Sequence, residues 1–239
     1  MGTNNSLIHL EEIIFGYPSR PNVLDKFSFT FSRGERVGLV GANGSGKTTL
    51  FHIIMGLLKP HDGKIEILGK QRDKESDFRE VRERIGFLFQ DADDQLFCPT
   101  VAEDIAFGPL NLGKTHDQAR EIVRETLDIL GLTGFEDRVT YNLSGGEKKL
   151  VSLATVIAMK PEVLLLDEPT TGLDEETTER IIDFLNSNSD FSYIIISHDR
   201  EFLERTTQYI HRIKDGKMLD TVSSQGVIMK TGNTIRTVR

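Results

Sequence analysis

Eight consecutive residues, Gly41-Ala42-Asn43-Gly44-Ser45-Gly46-Lys47-Thr48, constrain this chain more than any other stretch, because they satisfy G-x-x-x-x-G-K-[ST] in full. Such a run needs a strand before it and a helix after it. Val37-Gly38-Leu39-Val40 is a short apolar run, as a buried strand requires, and Thr49-Leu50-Phe51-His52-Ile53-Ile54-Met55 carries apolar residues at helical spacing. In that setting the glycines let backbone N–H groups close around phosphate oxygens at a helix N-terminus. Lys47 would reach the β- and γ-phosphates, and the Thr48 hydroxyl would face Mg²⁺. Residues 41–49, with Thr49 closing the first helical turn, are the phosphate-binding candidates. The sequence therefore implies a nucleoside triphosphate bound on an α/β fold.

A second signal lies downstream. Val163-Leu164-Leu165-Leu166 runs directly into Asp167-Glu168-Pro169. A buried strand that delivers two carboxylates at its C-terminal end puts them where ligands bind in an open α/β sheet. Asp167 would hold Mg²⁺, and Glu168 would polarise the water that attacks the γ-phosphate, since phosphoryl transfer needs an in-line nucleophile and charge neutralisation.

With 239 residues and 38% hydrophobic content, the chain can bury a substantial core. Its net charge of −8 argues against a general nucleic-acid binder, which would be basic. Cys98 is the single cysteine, so there is no disulfide framework and no cysteine zinc site. No apolar run approaches the roughly 18 residues needed to cross a bilayer. Met1-Gly2-Thr3-Asn4-Asn5-Ser6 lacks a basic, then apolar, leader; it fits the loose myristoylation pattern M-G-x-x-x-[ST] but reads as a polar leader.

The pattern divides the chain. Residues 6 to about 35 alternate apolar and polar side chains, as antiparallel strands do. From Val37 a βα order begins, with Lys64–Leu68 and Ile85–Phe89 expected as further strands of that core. Residues 91–160 turn helical: Thr115-His116-Asp117-Gln118 is a capping box, followed by an apolar side of Ala119, Ile122, Val123, Leu127 and Leu130 and ended by Gly131. The βα order returns with Val163–Leu166 and Tyr193–Ile196, both continuous apolar runs typical of a parallel sheet.

Leu143-Ser144-Gly145-Gly146-Glu147 reads first as a capping box, Ser144 to Glu147, opening a helix with Leu150, Leu153, Ala154 and Ile157 on one side. Two glycines weaken a helix start unless the backbone must approach something closely. Leu-Ser-Gly-Gly about twenty residues before Leu-Leu-Leu-Asp-Glu-Pro resembles the signature of ATP-binding-cassette (ABC) ATPases, and the resemblance covers residues 6 to 220. It implies one cassette over residues 1–239: an antiparallel part at 6–35, a RecA-like core at 36–90 and 161–220 with a mostly parallel sheet, an inserted helical subdomain at 91–160 and a tail at 221–239. It also implies that Tyr17 stacks on adenine, that Gln90 contacts Mg²⁺, that Gly172-Leu173-Asp174 is the D-loop and that His198 touches the γ-phosphate. Ser144, Gly145 and Gly146 would then face the ATP of an opposite subunit. Glu147 departs from the family's usual Gln, and the adjacent Lys148-Lys149 would offset its charge.

Gln90–Phe97 and Pro99–Asn111 closely resemble the ATPases of energy-coupling-factor transporters, with a cobalt or nickel flavour in Gly108-Pro109-Leu110-Asn111. The resemblance implies docking of an integral membrane subunit through Asp91, Asp93, Asp94 and Gln95, a second ATP-binding subunit that is identical or a paralogue, and a peripheral place on the cytoplasmic face of the membrane. A solvated acidic helix start is the alternative for those aspartates. The six histidines are scattered without ligand spacing, so cargo specificity belongs to another subunit. Rival functions are a vitamin or other micronutrient importer, a chromosome-maintenance ATPase, which would need coiled-coil arms, a soluble translation factor, which would need two cassettes, and a non-hydrolysing module, which would lack Glu168 or His198.

Overall fold

The computed structural model describes residues 5–187, 191–224, 227–229 and 235–237. They form two compact units, residues 1–82 with 190–239 and residues 83–189.

The first unit opens with β1 (Ser6–Tyr17) and β2 (Arg20–Ser32), which pair antiparallel as the alternation requires. Next come β3 (Arg36–Val40), α1 (Lys47–Ile54), β4 (Asp62–Ile67) and β5 (Lys70–Gln71). α2 (Phe78–Arg84) leads the chain into the second unit. β1, β2, β4 and β5 make one sheet in the order β2-β1-β4-β5. This corrects the expectation for 64–68: β4 pairs antiparallel with β1, Ile65 against Leu10 and Ile67 against Ile8, and is not a strand of the βα core. The reason lies in its alternation. Only Ile65 and Ile67 are buried in β4, the mark of a strand with one solvated face, whereas core strands are apolar throughout.

Within the second unit, β6 (Ile85–Leu88) and β7 (Val163–Asp167) run parallel with Leu88 opposite Leu166, so Gln90 and the Asp167-Glu168 pair leave from the same sheet edge. Between them lie α3 (Val101–Asn111), α4 (His116–Ile129) and α5 (Gly145–Ile157). Thr115 caps α4 with the expected box to Gln118, and Ala119, Val123, Leu127 and Leu130 are buried while Ile122 is half-buried. α6 (Glu175–Ser187) closes the unit, which takes in β6, β7 and α6 as well as the helical stretch expected at 91–160.

On returning to the first unit the chain forms β8 (Ser192–Ile196), α7 (Arg200–Thr206), β9 (Tyr209–Lys214), β10 (Lys217–Ser223), β11 (Val227–Met229) and β12 (Ile235–Thr237). β3 lies between β8 and β9 and is parallel to both, with Leu39 opposite Ile196. The phosphate loop after β3 and His198 after β8 therefore emerge at the same edge. The segment expected as a tail from 221 continues this sheet instead: Thr221 and Val222 pair with His211 and Ile210, and β11 and β12 add antiparallel strands. In β10 the residues from 221, Thr221-Val222-Ser223, are all half-buried and mix polar with apolar, so no alternation marks the strand.

Candidate nucleotide site

In the first unit the phosphate loop is a cradle that only small residues fit. Gly46 caps α1 at φ 102° with no side chain capping the helix, so the first N–H groups of α1 are left for an anion. That φ favours glycine, and a Cβ there would also lie 2.8 Å from Leu24 Cδ2 and 2.9 Å from the Val23 carbonyl. A Cβ at Gly41 would sit 2.4 Å from the Ile213 carbonyl. Ser45 Oγ is buried and makes no hydrogen bond among the described residues. Lys47 is buried and folds over the loop, its Nζ donating to the carbonyls of Gly41 at 2.7 Å and Ala42 at 3.2 Å. An uncapped helix end, a buried hydroxyl and a lysine over a glycine loop fit a triphosphate. Thr48 follows Lys47 in the first turn of α1, half-buried. Tyr17 is partly exposed, hydrogen-bonded to Thr49 Oγ1 at 3.3 Å and edge-on to Phe15 at 5.0 Å. His198 is exposed, just before Asp199, whose carboxylate caps α7.

In the second unit Asp167 ends β7 at 1% exposure, and Glu168 follows it, buried as well. Glu168 adopts φ 47°, a left-handed conformation that costs a non-glycine residue about 1 kcal/mol or more and that proteins tend to keep where function fixes it. Its carboxylate accepts a hydrogen bond from Thr171 Oγ1 at 3.0 Å. Each of the magnesium candidates, Thr48 in the first unit and Gln90 and Asp167 in the second, offers an oxygen donor, which suits a hard cation such as Mg²⁺ and not a soft metal.

Ser144 caps α5 and forms the expected box: its Oγ accepts from the Glu147 N–H at 3.3 Å, and Glu147 accepts from the Ser144 N–H at 2.8 Å. Glu147 is neutralised differently from expectation. Arg138 donates to it at 2.9 Å, and the Ser144 N–H, ahead of Arg138, holds its carboxyl below the usual range. Lys148 instead pairs with Asp93 at 2.6 Å. Lys149 is 4% exposed and donates to the carbonyls of Phe89 at 3.1 Å and Gln90 at 2.7 Å. Burial pulls the Lys149 pKa down, against the opposing charges of Asp167, Asp91 and Glu168. A Cβ at Gly145 meets nothing within 4 Å, and one at Gly146 meets Thr177 only at ordinary contact, 3.5 Å. The chain's own packing requires neither glycine. Gly172 and Leu173 lead into Asp174, which caps α6 through the Thr177 N–H at 2.7 Å.

The docking candidates fare unequally. Asp91 caps a short turn by accepting from the Asp93 N–H, Asp93 is paired with Lys148, and Asp94 is exposed, its carboxylate without a partner among the described residues. Gln95 turns inward: its amide donates to Ser152 O and Thr155 Oγ1 and accepts from the Phe89 N–H, so it braces the turn against α5 and offers nothing to a partner. Lys149 and Arg138 are site residues that sequence reasoning missed. Only the doubled lysine after the signature hinted at the first.

Residues 24–171 match the family model described as ABC transporter. The chain is 53% identical over 215 residues to a protein of Nitratidesulfovibrio vulgaris provisionally named an ABC transporter ATP-binding protein, covering 90% of this chain and 78% of that one. It is 43% identical over 216 residues to the energy-coupling factor transporter ATP-binding protein EcfA of Methanothermobacter thermautotrophicus, covering 89% and 70%. The solved structure of cbiO1 from Clostridium perfringens, described as part of the ABC transporter complex cbiONQ, superposes with a TM-score of 0.82 at 32% identity, covering 93% of this chain and 90% of that one. The chain belongs to the ABC transporter ATP-binding family, ATPases that bind ATP with Mg²⁺ and couple its hydrolysis to transport.

Proposed function

We propose that this chain is the motor subunit of an energy-coupling-factor importer, acting as a head-to-tail dimer on the cytoplasmic side of an integral membrane partner, with cobalt or nickel ions as cargo. The names of the EcfA relative and of cbiO1 support the transporter class. The observation that carries the docking reading is an apolar groove of about 700 Å³ on the helical unit, lined by Ala102, Ala106, Phe107, Leu110 and Val123. Phe97 and Phe107 stand beside each other edge-on at 4.9 Å, yet they are 67% and 48% exposed. Exposed aromatic pairs of this kind fit the apolar face of a partner helix. Among the described residues no helix is long and apolar enough to cross a membrane, and no group of three or more His, Cys, Asp or Glu stands together as a metal site. Both the membrane path and cargo recognition are therefore assigned to partners.

In the proposed cycle Tyr17 holds the adenine face, and the N–H groups of residues 41–49 with Lys47 hold the phosphates. Mg²⁺, bound through Thr48, Gln90 and Asp167, would neutralise charge on the β- and γ-phosphates. Glu168 orients the attacking water and accepts its proton at the carboxylate. His198 contacts the γ-phosphate. Ser144, Gly145 and Gly146 close over the ATP of the second subunit, which explains glycines that the chain's own packing does not require.

Co-purification with the membrane partner, followed by ion uptake into vesicles, tests the assignment. Phe107→Asp and Asp94→Lys should each impair assembly and uptake while leaving the isolated chain's basal ATPase intact. Normal assembly of both variants removes the docking surface. Uptake of an organic micronutrient without cobalt or nickel replaces the cargo.

A further inference from the structure

We propose that Arg20 is a second phosphate-binding cation of the nucleotide site, gripping a triphosphate oxygen pair from the outer side of the loop at Gly44. The inference rests on the reading that residues 41–49 hold the phosphates of ATP. β1 and β2 meet at the tight turn Pro18-Ser19, across which Tyr17 pairs directly with Arg20. The side chain expected at the adenine and the guanidinium therefore leave one hairpin end together. That end is fixed by the Tyr17–Thr49 hydrogen bond at 3.3 Å and the edge-on contact of Tyr17 with Phe15.

Arg20 reaches the phosphate loop itself. A Cβ built at Gly44 would lie 2.1 Å from Arg20 Nη1 and 3.2 Å from its Cζ, so the guanidinium lies against the glycine backbone. Long cationic side chains usually carry the head group out to water or onto a carboxylate. Arg20 does neither fully: it is exposed, but among the described residues no hydrogen bond or ion pair engages its guanidinium. Lys47 meanwhile spends its ammonium on the Gly41 and Ala42 carbonyls at the start of the loop. An unpaired planar fork held over an anion-binding loop matches two oxygens of one phosphate, a geometry that lysine cannot reproduce.

The test is displacement of a fluorescent ATP analogue from the full chain, by ATP and by inorganic tripolyphosphate, with Mg²⁺ present and with it chelated. Arg20→Gln should weaken both competitors about tenfold, the effect of removing one charge-assisted hydrogen bond at an exposed site. Arg20→Lys should recover only part of that affinity. Thermal unfolding without nucleotide should match the parent, because among the described residues the substitution breaks no hydrogen bond or ion pair. Undiminished tripolyphosphate competition in Arg20→Gln overturns the proposal, even if ATP itself binds less well, since the residue would then act on the nucleoside. Lys47→Ala separates the two levels. If it weakens tripolyphosphate while Arg20→Gln does not, Arg20 alone is misassigned; if neither variant weakens it, the loop is not the phosphate site.

Discussion

Replacing Lys149 by Met removes a buried cation that ties α5 to the strand end carrying Gln90. The native ammonium donates to Phe89 O at 3.1 Å and Gln90 O at 2.7 Å at 4% exposure. A hydrogen bond from a charged donor contributes about 1.5–3 kcal/mol net. Gln90 is exposed, so water can take over at its carbonyl, and the half-buried Phe89 carbonyl carries most of the loss. Against this, Met avoids the cost of burying a charge, the cost that pulls the lysine pKa down. The balance is a destabilisation of about 2 kcal/mol, which at a typical slope of about 2 kcal/mol per molar moves a urea midpoint by about 1 M. Turnover should fall further than nucleotide affinity, since the released residue is Gln90 and the phosphate loop is untouched. Lys149→Arg, which keeps the charge, should recover part of both. Equilibrium urea unfolding and steady-state ATPase measure these effects. A midpoint within about 0.2 M of the parent, with unchanged turnover, would refute the reasoning.

ATPase activity should rise faster than linearly with protein concentration, because Ser144, Gly145 and Gly146 are proposed to complete the site of a second subunit; strict proportionality where sizing shows only monomer contradicts that. Stability should also depend on His211, which burial holds at a pKa of about 4 instead of 6.5. The folded chain resists protonating it while the unfolded chain does not, so the stabilisation is complete above about pH 6.5 and is lost as pH falls toward 4, up to about 3 kcal/mol. His211→Gln should flatten that part of the profile, read as the difference in urea midpoint between parent and variant from pH 7 to 4.5. Parallel profiles would show that His211 is not the group responsible.

What the sequence made legible was local. The phosphate loop, the Asp167-Glu168 strand end, and the capping boxes at Thr115 and Ser144 each use residues within a few positions of one another, and each formed as read. What it hid depends on distance along the chain. Lys149 reaches carbonyls about sixty residues away, and Gln95 spends its amide on Ser152 and Thr155. Lys148-Lys149 beside Glu147 suggested local charge compensation, but each lysine found a distant partner and Arg138 took the glutamate. β4 was misplaced because a run of alternating residues names its exposed face and not its neighbours. The β10 extension was invisible because its pairing uses the backbone, with few apolar side chains to mark it.

The most direct test of the proposed catalytic machinery is Glu168→Gln, measured for ATP affinity and ATP turnover in the same preparation. The substitution removes the water-orienting carboxylate but leaves Lys47 and the loop N–H groups in place. Affinity should stay within about twofold of the parent while turnover falls by at least about a hundredfold, the range expected for loss of a positioned base, and ATP should trap a dimer visible by sizing. Near-parental turnover in Glu168→Gln would contradict the assignment and move the water-orienting role to another group.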